Sequence, residues 1–146
     1  MREKNRGLYL LLLTLVLGLA LAFLIHSSED QRWGHSVWEQ WLIAHFHFKA
    51  VVAAALVFGV RKSMHFLGYG SLGLLFWLYF YLWRLKWPLF TGLLATAIVA
   101  MFDEYIQSTT TFRGGKPQDV LLDVAGAVTI NLVRIFWIAK KRRESS

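Results

Sequence analysis

The feature that most constrains this chain is a set of four apolar stretches, each near the length needed to cross a lipid bilayer. They cover residues 8–25, 63–83, 90–106 and 120–138. At about 1.5 Å per residue, an 18-residue helix covers ~27 Å, close to the roughly 30 Å hydrocarbon core of a bilayer. With 56% hydrophobic and 17% charged residues, the chain carries more apolar surface than a soluble domain of this size can bury. We therefore predict an all-α integral membrane protein, with residues 1–146 forming a single domain built on a bundle of four transmembrane helices.

A further apolar stretch, residues 50–60, is short for a span. Upstream of it, Trp38, Trp41 and Leu42 recur at helical spacing among polar residues. Such a pattern is typical of a helix that lies at the membrane surface. We therefore predict an interfacial or re-entrant helical segment over about residues 36–60, on the outer surface.

The distribution of basic residues predicts the orientation, because cytoplasmic segments of membrane proteins carry an excess of lysine and arginine. With four spans, both termini and the segment between spans two and three lie on one side. Together with Arg134 near the end of span four, that side carries ten basic and two acidic residues. The other side carries six basic and seven acidic residues. We predict that both termini are cytoplasmic. The net charge of +7 is then a consequence of topology and does not indicate nucleic-acid binding.

Polar side chains lie at or beside the outer ends of the predicted spans, and ionisable groups at membrane depth are costly and commonly functional. Because residues three and four apart share a helix face, the side chains on each span point the same way. We predict that they converge in an outer-leaflet polar pocket. The predicted binding residues are Lys62, His65, Tyr69, Glu104, Gln107, Arg113, Asp119 and Asp123. We predict no resident metal and no cofactor.

Helix electrostatics distinguish the carboxylates of this set. Asp119 suits the N-cap of the fourth span, because negative charge is favoured at a helix N-terminus. Glu104 lies at a helix C-terminus, where negative charge is disfavoured, so it needs a partner such as Arg113, Lys62 or His65, or a proton. It is the leading functional candidate. For His65 two interpretations stay open, either a structural bond to Glu104 or Asp123 or a role as proton carrier or as ligand to a metal or phosphate.

The order and spacing of these residues resemble the VanZ-like family of small bacterial membrane proteins, named for a teicoplanin-resistance accessory protein. The resemblance covers about residues 60–133. Its motifs are Lys62-x-x-His65-Phe66-x-x-Tyr69-x-x-Leu72-Gly73, Asp103-Glu104-x-x-Gln107, Arg113, Asp119 and Asp123-x-x-Gly126. The resemblance implies a multi-pass protein of the bacterial plasma membrane with a role in glycopeptide resistance.

Two functions from different classes remain open. The first is a non-enzymatic envelope protein that contacts membrane lipids and binds a lipid-linked cell-wall intermediate or a glycopeptide antibiotic. The second is an enzyme acting on a lipid or phosphate headgroup, with Glu104 or His65 as general acid or base and Arg113 stabilising phosphate charge. A plainer alternative is that the polar residues only fix helix packing. The sequence favours the binding protein and does not indicate an oligomeric state.

Overall fold

The structure is a computed structural model that describes residues 5–29, 35–111 and 115–145. Within these ranges the chain forms five helices: α1 (Arg6–Glu29), α2 (His35–Phe46), α3 (Ala50–Leu82), α4 (Pro88–Thr109) and α5 (Pro117–Glu144). All of these except α2 are long and apolar enough to cross a membrane. The predicted all-α architecture with four spans is confirmed.

Prolines begin two of the spans. Pro88 and Pro117 occupy the first turns of α4 and α5. Backbone N–H groups in a first turn have no partner within the helix, so the N–H group that proline lacks costs no hydrogen bond. The prediction that Asp119 caps the fourth span is wrong, because the N-cap position belongs to Lys116 and Asp119 lies within the first turn. The helix begins earlier than the apolar pattern because Pro117 already has the backbone angle that a helix requires.

The third helix is longer than the predicted second span. It runs without interruption from Ala50 to Leu82, 33 residues, or about 50 Å. The prediction of one interfacial segment over 36–60 is therefore wrong in its extent, since α2 ends at Phe46 and residues 50–60 open α3. Arg61 and Lys62 separate two apolar stretches in the sequence, but both are good helix formers and do not interrupt the backbone.

Small residues bring α3 and α5 into close contact. A Cβ atom added to Gly126 of α5 would lie 2.1 Å from the carbonyl oxygen of Phe66 in α3. One added to Gly73 would lie 2.7 Å from the Cβ of Ala127. Because helices in lipid associate through close packing rather than through hydrophobic exclusion from water, small residues dominate such interfaces. This contact sets the register of α3 against α5.

The remaining helices complete the bundle around α3. The contacts along α3 and α5 advance together, from His65 with Asp123 to Gly73 with Ala127, so these two helices run parallel and α4 runs antiparallel to both. Leu13 and Leu17 of α1 join the buried apolar core.

The bundle has two ends, which we name by the helices connected there. At the α4–α5 end, residues 110–116 connect α4 to α5, and at the α3–α4 end, residues 83–87 connect α3 to α4. The basic last turn of α5 lies at the α3–α4 end.

Candidate functional site

A group of polar side chains from α3, α4 and α5 meets near the α4–α5 end of the bundle. It contains most of the predicted binding residues and one residue outside that set. We call it the polar cluster, and its members are Lys62, His65, Tyr69, Asp103, Glu104, Gln107, Asp119 and Asp123. The predicted Arg113 lies outside the residues that the structure describes.

Two ionisable pairs join α3 to α5. Lys62 donates from Nζ to Oδ1 of Asp119 in an ion pair. One turn further along both helices, His65 Nδ1 lies 3.1 Å from Oδ1 of Asp123. The two pairs follow each other because the helices are parallel and in close contact, so a step of one turn on α3 matches a step of one turn on α5. His65 is thus placed against α5 by the same contact that Gly126 permits.

Asp103 connects α3 to α4, and sequence reasoning did not include it among the binding residues. Its Oδ2 atom accepts a hydrogen bond of 2.8 Å from the Tyr69 hydroxyl and another of 2.8 Å from Nε2 of Gln107. The sequence motif places Gln107 three residues after Glu104, but the Gln107 side chain bonds to Asp103. The signal that identifies Asp103 is its spacing of four residues from Gln107, which places both on one face of α4. The Tyr69 ring also stacks on His65, with ring centroids 5.9 Å apart.

Glu104 is bonded to the start of α5 through the backbone. Its Oε2 atom accepts a hydrogen bond of 2.7 Å from the N–H group of Lys116, which is none of the side-chain partners considered from the sequence. Gly115 permits this contact, because a Cβ there would lie 2.0 Å from the Glu104 carbonyl oxygen. The other carboxylate oxygen, Oε1, is buried without a hydrogen-bond partner among the described residues.

Burial varies across the polar cluster. Asp123 is fully buried and Glu104 is 5% exposed, whereas the Lys62 and Asp119 side chains are 28% and 17% exposed. The Lys62–Asp119 pair therefore forms the accessible edge of the cluster, and the carboxylates of Glu104 and Asp123 lie beneath it. Chemically, the cluster offers an ammonium group at its edge, a histidine–aspartate pair behind it and a carboxylate oxygen, Oε1 of Glu104, that can accept a further bond.

The Tyr69 hydroxyl is expected to stabilise the bundle through Asp103. In Tyr69→Phe, the buried Oδ2 atom of Asp103 loses the tyrosine hydroxyl as a donor, and a hydrogen bond to a charged group contributes about 1.5–3 kcal/mol. We expect the free energy of unfolding in detergent to fall by about 2 kcal/mol. Tyr105→Phe is the matched control, because Tyr105 is 65% exposed, and its unfolding should be unchanged. Equal stability of the two variants would contradict a role for the Tyr69–Asp103 bond.

Comparison with known proteins gives a match to the model of a protein family. The model of the VanZ/LLP1 family matches residues 7–138 of the chain, a range that includes all four spans in large part and the whole polar cluster. No curated protein and no solved structure matches the chain significantly.

Proposed function

The chain belongs to the VanZ/LLP1 family, and from that membership we propose that it is an envelope protein that binds a lipid-linked cell-wall component. By holding or masking this component, it reduces what teicoplanin-type glycopeptides can reach. The observation that carries the proposal is the polar cluster, which joins three helices at one end of a membrane bundle and is most accessible at Lys62 and Asp119. A headgroup bound at that edge can keep its acyl chain against the lipid-facing helices.

The basic residues support a position of the cluster in the outer leaflet of a bacterial plasma membrane. If the four spans alternate in direction, the start of α1, the α3–α4 turn and the end of α5 share one side. That side carries ten of the sixteen lysine and arginine residues, which favours its assignment to the cytoplasm. The α4–α5 end then faces outward, toward the surface where glycopeptides act.

The donors and acceptors of the cluster suit a headgroup with phosphate and hydroxyl groups. Lys62 and Arg113 supply positive charge for phosphate oxygens, and charged donors form the stronger hydrogen bonds to phosphate. Glu104 and Gln107 can orient hydroxyl or amide groups. Asp123 holds the His65 ring in place. This division between an edge that carries an ammonium group and buried acceptors supports recognition of a headgroup rather than of an acyl chain.

The pairing of His65 with Asp123 favours a second candidate function. A carboxylate 3.1 Å from an imidazole nitrogen can orient the ring for proton transfer, as general acid and base catalysis requires. In this alternative the protein is a membrane enzyme that acts on a lipid or phosphate headgroup. His65 or Glu104 moves the proton, and Arg113 stabilises the developing phosphate charge.

The test expresses the protein in a teicoplanin-susceptible bacterium, with an unrelated four-span membrane protein at equal level as control. We expect a higher inhibitory concentration of teicoplanin, and a cell-wall lipid that copurifies with the protein and is identified by mass spectrometry. An unchanged headgroup supports binding, whereas a chemically altered headgroup in the membrane lipids supports the enzyme. If the cells gain no protection and no lipid is retained or altered, both candidates are contradicted.

A further inference from the structure

Three side chains of the polar cluster, each from a different helix, lie close enough together to bind one small ligand. A nitrogen of His65 and one carboxylate oxygen from each of Glu104 and Asp123 all lie within 4.8 Å of one another. From this geometry we propose that the three residues bind one divalent metal cation that accepts mixed nitrogen and oxygen ligands, such as Zn²⁺ or Mn²⁺. The inference goes beyond the proposed function and does not depend on it.

Two buried oxygen atoms point to a missing ligand. Oε1 of Glu104 and Oδ2 of Asp123 have no hydrogen-bond partner among the described residues, although the two residues are 5% and 0% exposed. The other oxygen of each carboxylate is engaged, by the Lys116 N–H in one case and by His65 in the other. An unpartnered buried polar atom costs about 1–3 kcal/mol, and more when the group is charged. A cation between these residues would remove that cost.

The charges within the cluster favour a divalent ion. Asp119 has Lys62 as its counter-ion, and Asp103 accepts hydrogen bonds from Tyr69 and Gln107, which stabilise its charge without cancelling it. Glu104 and Asp123 are left with His65 between them. Two carboxylates carry two negative charges, and buried charges are stable only when they are paired or coordinate a metal. One divalent cation supplies the compensating charge.

The donor set and its dimensions fit a transition metal. Imidazole and carboxylate ligands together suit Zn²⁺ and Mn²⁺, and bonds of about 2.1 Å place neighbouring ligand atoms ~3–3.5 Å apart. The 3.1 Å between His65 Nδ1 and Asp123 Oδ1 already lies in this range, and a metal bound between these two atoms would replace their hydrogen bond. Because no two of the three ligand atoms lie more than 4.8 Å apart, a Glu104 side-chain shift of up to about 1.5 Å completes such a set. Three protein ligands leave at least one coordination position for water or another small ligand.

The experiment measures metal alone, without lipid or antibiotic. The full chain is purified without a polyhistidine tag, placed in lipid nanodiscs and treated with a chelator. Zn²⁺ and Mn²⁺ are then titrated in, and bound metal is counted by mass spectrometry. We expect saturation at about one equivalent, since the cluster holds one set of three ligands. If the wild-type protein shows no saturable binding of one metal ion, the proposal is overturned. This is the result expected if Arg113 or a proton neutralises Glu104 instead.

Variants locate the metal. Glu104→Gln keeps an acceptor for the Lys116 N–H and removes the charge, and His65→Gln removes the imidazole. Each should weaken binding by more than about 100-fold, because even partners outside the metal's own ligand set commonly contribute 10–100-fold. Glu144→Gln is the matched control for loss of a carboxylate outside the polar cluster, and His45→Gln is the control for loss of an exposed histidine. Unchanged binding in both cluster variants would place the metal elsewhere and overturn the proposal.

A spectroscopic measurement on wild-type protein covers the case in which the variants fail to fold. Mn²⁺ bound to His65 should show magnetic coupling to the nitrogen of a single imidazole in electron spin echo spectra. Bound Mn²⁺ without nitrogen coupling overturns the assignment. Because neither measurement involves teicoplanin or a cell-wall lipid, failure of the metal proposal is distinguishable from failure of the proposed function.

Discussion

Cells that express the Glu104→Gln protein are expected to lack the protection against teicoplanin that the proposed function predicts for the wild type. The carboxamide oxygen can still accept the Lys116 N–H bond of 2.7 Å, so the connection between α4 and α5 is retained. The substitution removes the negative charge and the acceptor at Oε1, the buried atom without a described partner. Any ligand that the cluster holds through this carboxylate is therefore released, whereas the bundle stays folded. The measurement is the inhibitory concentration of teicoplanin, which should fall to the value of cells without the protein.

Glu144→Gln is the matched control for this prediction, because it makes the same chemical change at the opposite end of the bundle. The Glu144 side chain is 64% exposed, and its ion pair with Lys140 at 3.9 Å is of the surface kind that contributes little. This variant should protect as well as the wild type. Full protection by Glu104→Gln at equal membrane abundance would contradict a functional role for the cluster and leave packing as its explanation.

Gly126→Ala is expected to destabilise the bundle, because it adds a methyl group within the close contact between α3 and α5. The added Cβ would lie 2.1 Å from the carbonyl oxygen of Phe66, and this oxygen belongs to the backbone of α3, so a side-chain rotation cannot relieve the clash. The two helices must separate, which weakens every contact between them. Overpacking of this kind costs about 1–3 kcal/mol or more. Denaturation in detergent should show a loss of at least about 2 kcal/mol in the free energy of unfolding.

The same change at Gly68 serves as the control. Gly68 lies in α3, the other helix of this contact, and a Cβ there meets nothing within 4 Å. Alanine has the higher helix propensity, so Gly68→Ala should leave stability unchanged or raise it by up to about 1 kcal/mol. The position of His65 beside Asp123 depends on the close α3–α5 contact, so Gly126→Ala should also reduce protection against teicoplanin. Equal stability of the two alanine variants would contradict the close contact at Gly126.

Much of the candidate site could be predicted because helical spacing is a local property. His65 is three residues from Lys62 and Asp123 is four from Asp119, so each pair shares a face whatever the rest of the chain does. The bonding partners could not be predicted in the same way. Lys62 pairs with Asp119. Glu104 bonds to a backbone N–H group, and because nearly every residue has such a group, residue identity does not indicate this partner.

Asp103 and α3 show two further limits of sequence reasoning. Asp103 stands next to Glu104, and adjacent residues on a helix point in different directions, so the rotation of α4 decides what each one meets. Asp103 turns toward Tyr69. In α3, the charged pair Arg61–Lys62 resembles the end of a span, but composition alone does not distinguish a boundary from a charged turn inside a continuous helix. The structure has one helix from Ala50 to Leu82.

The sequence by itself determined the number of membrane-spanning helices and their approximate positions. These features depend on the apolar length that a bilayer demands, which is a property of short segments. Only the tertiary structure decided which polar groups bond to one another and which carboxylate oxygens are left without a described partner. Those outcomes depend on the rotation and register of neighbouring helices, and in this bundle the close contacts at Gly73, Gly115 and Gly126 set both.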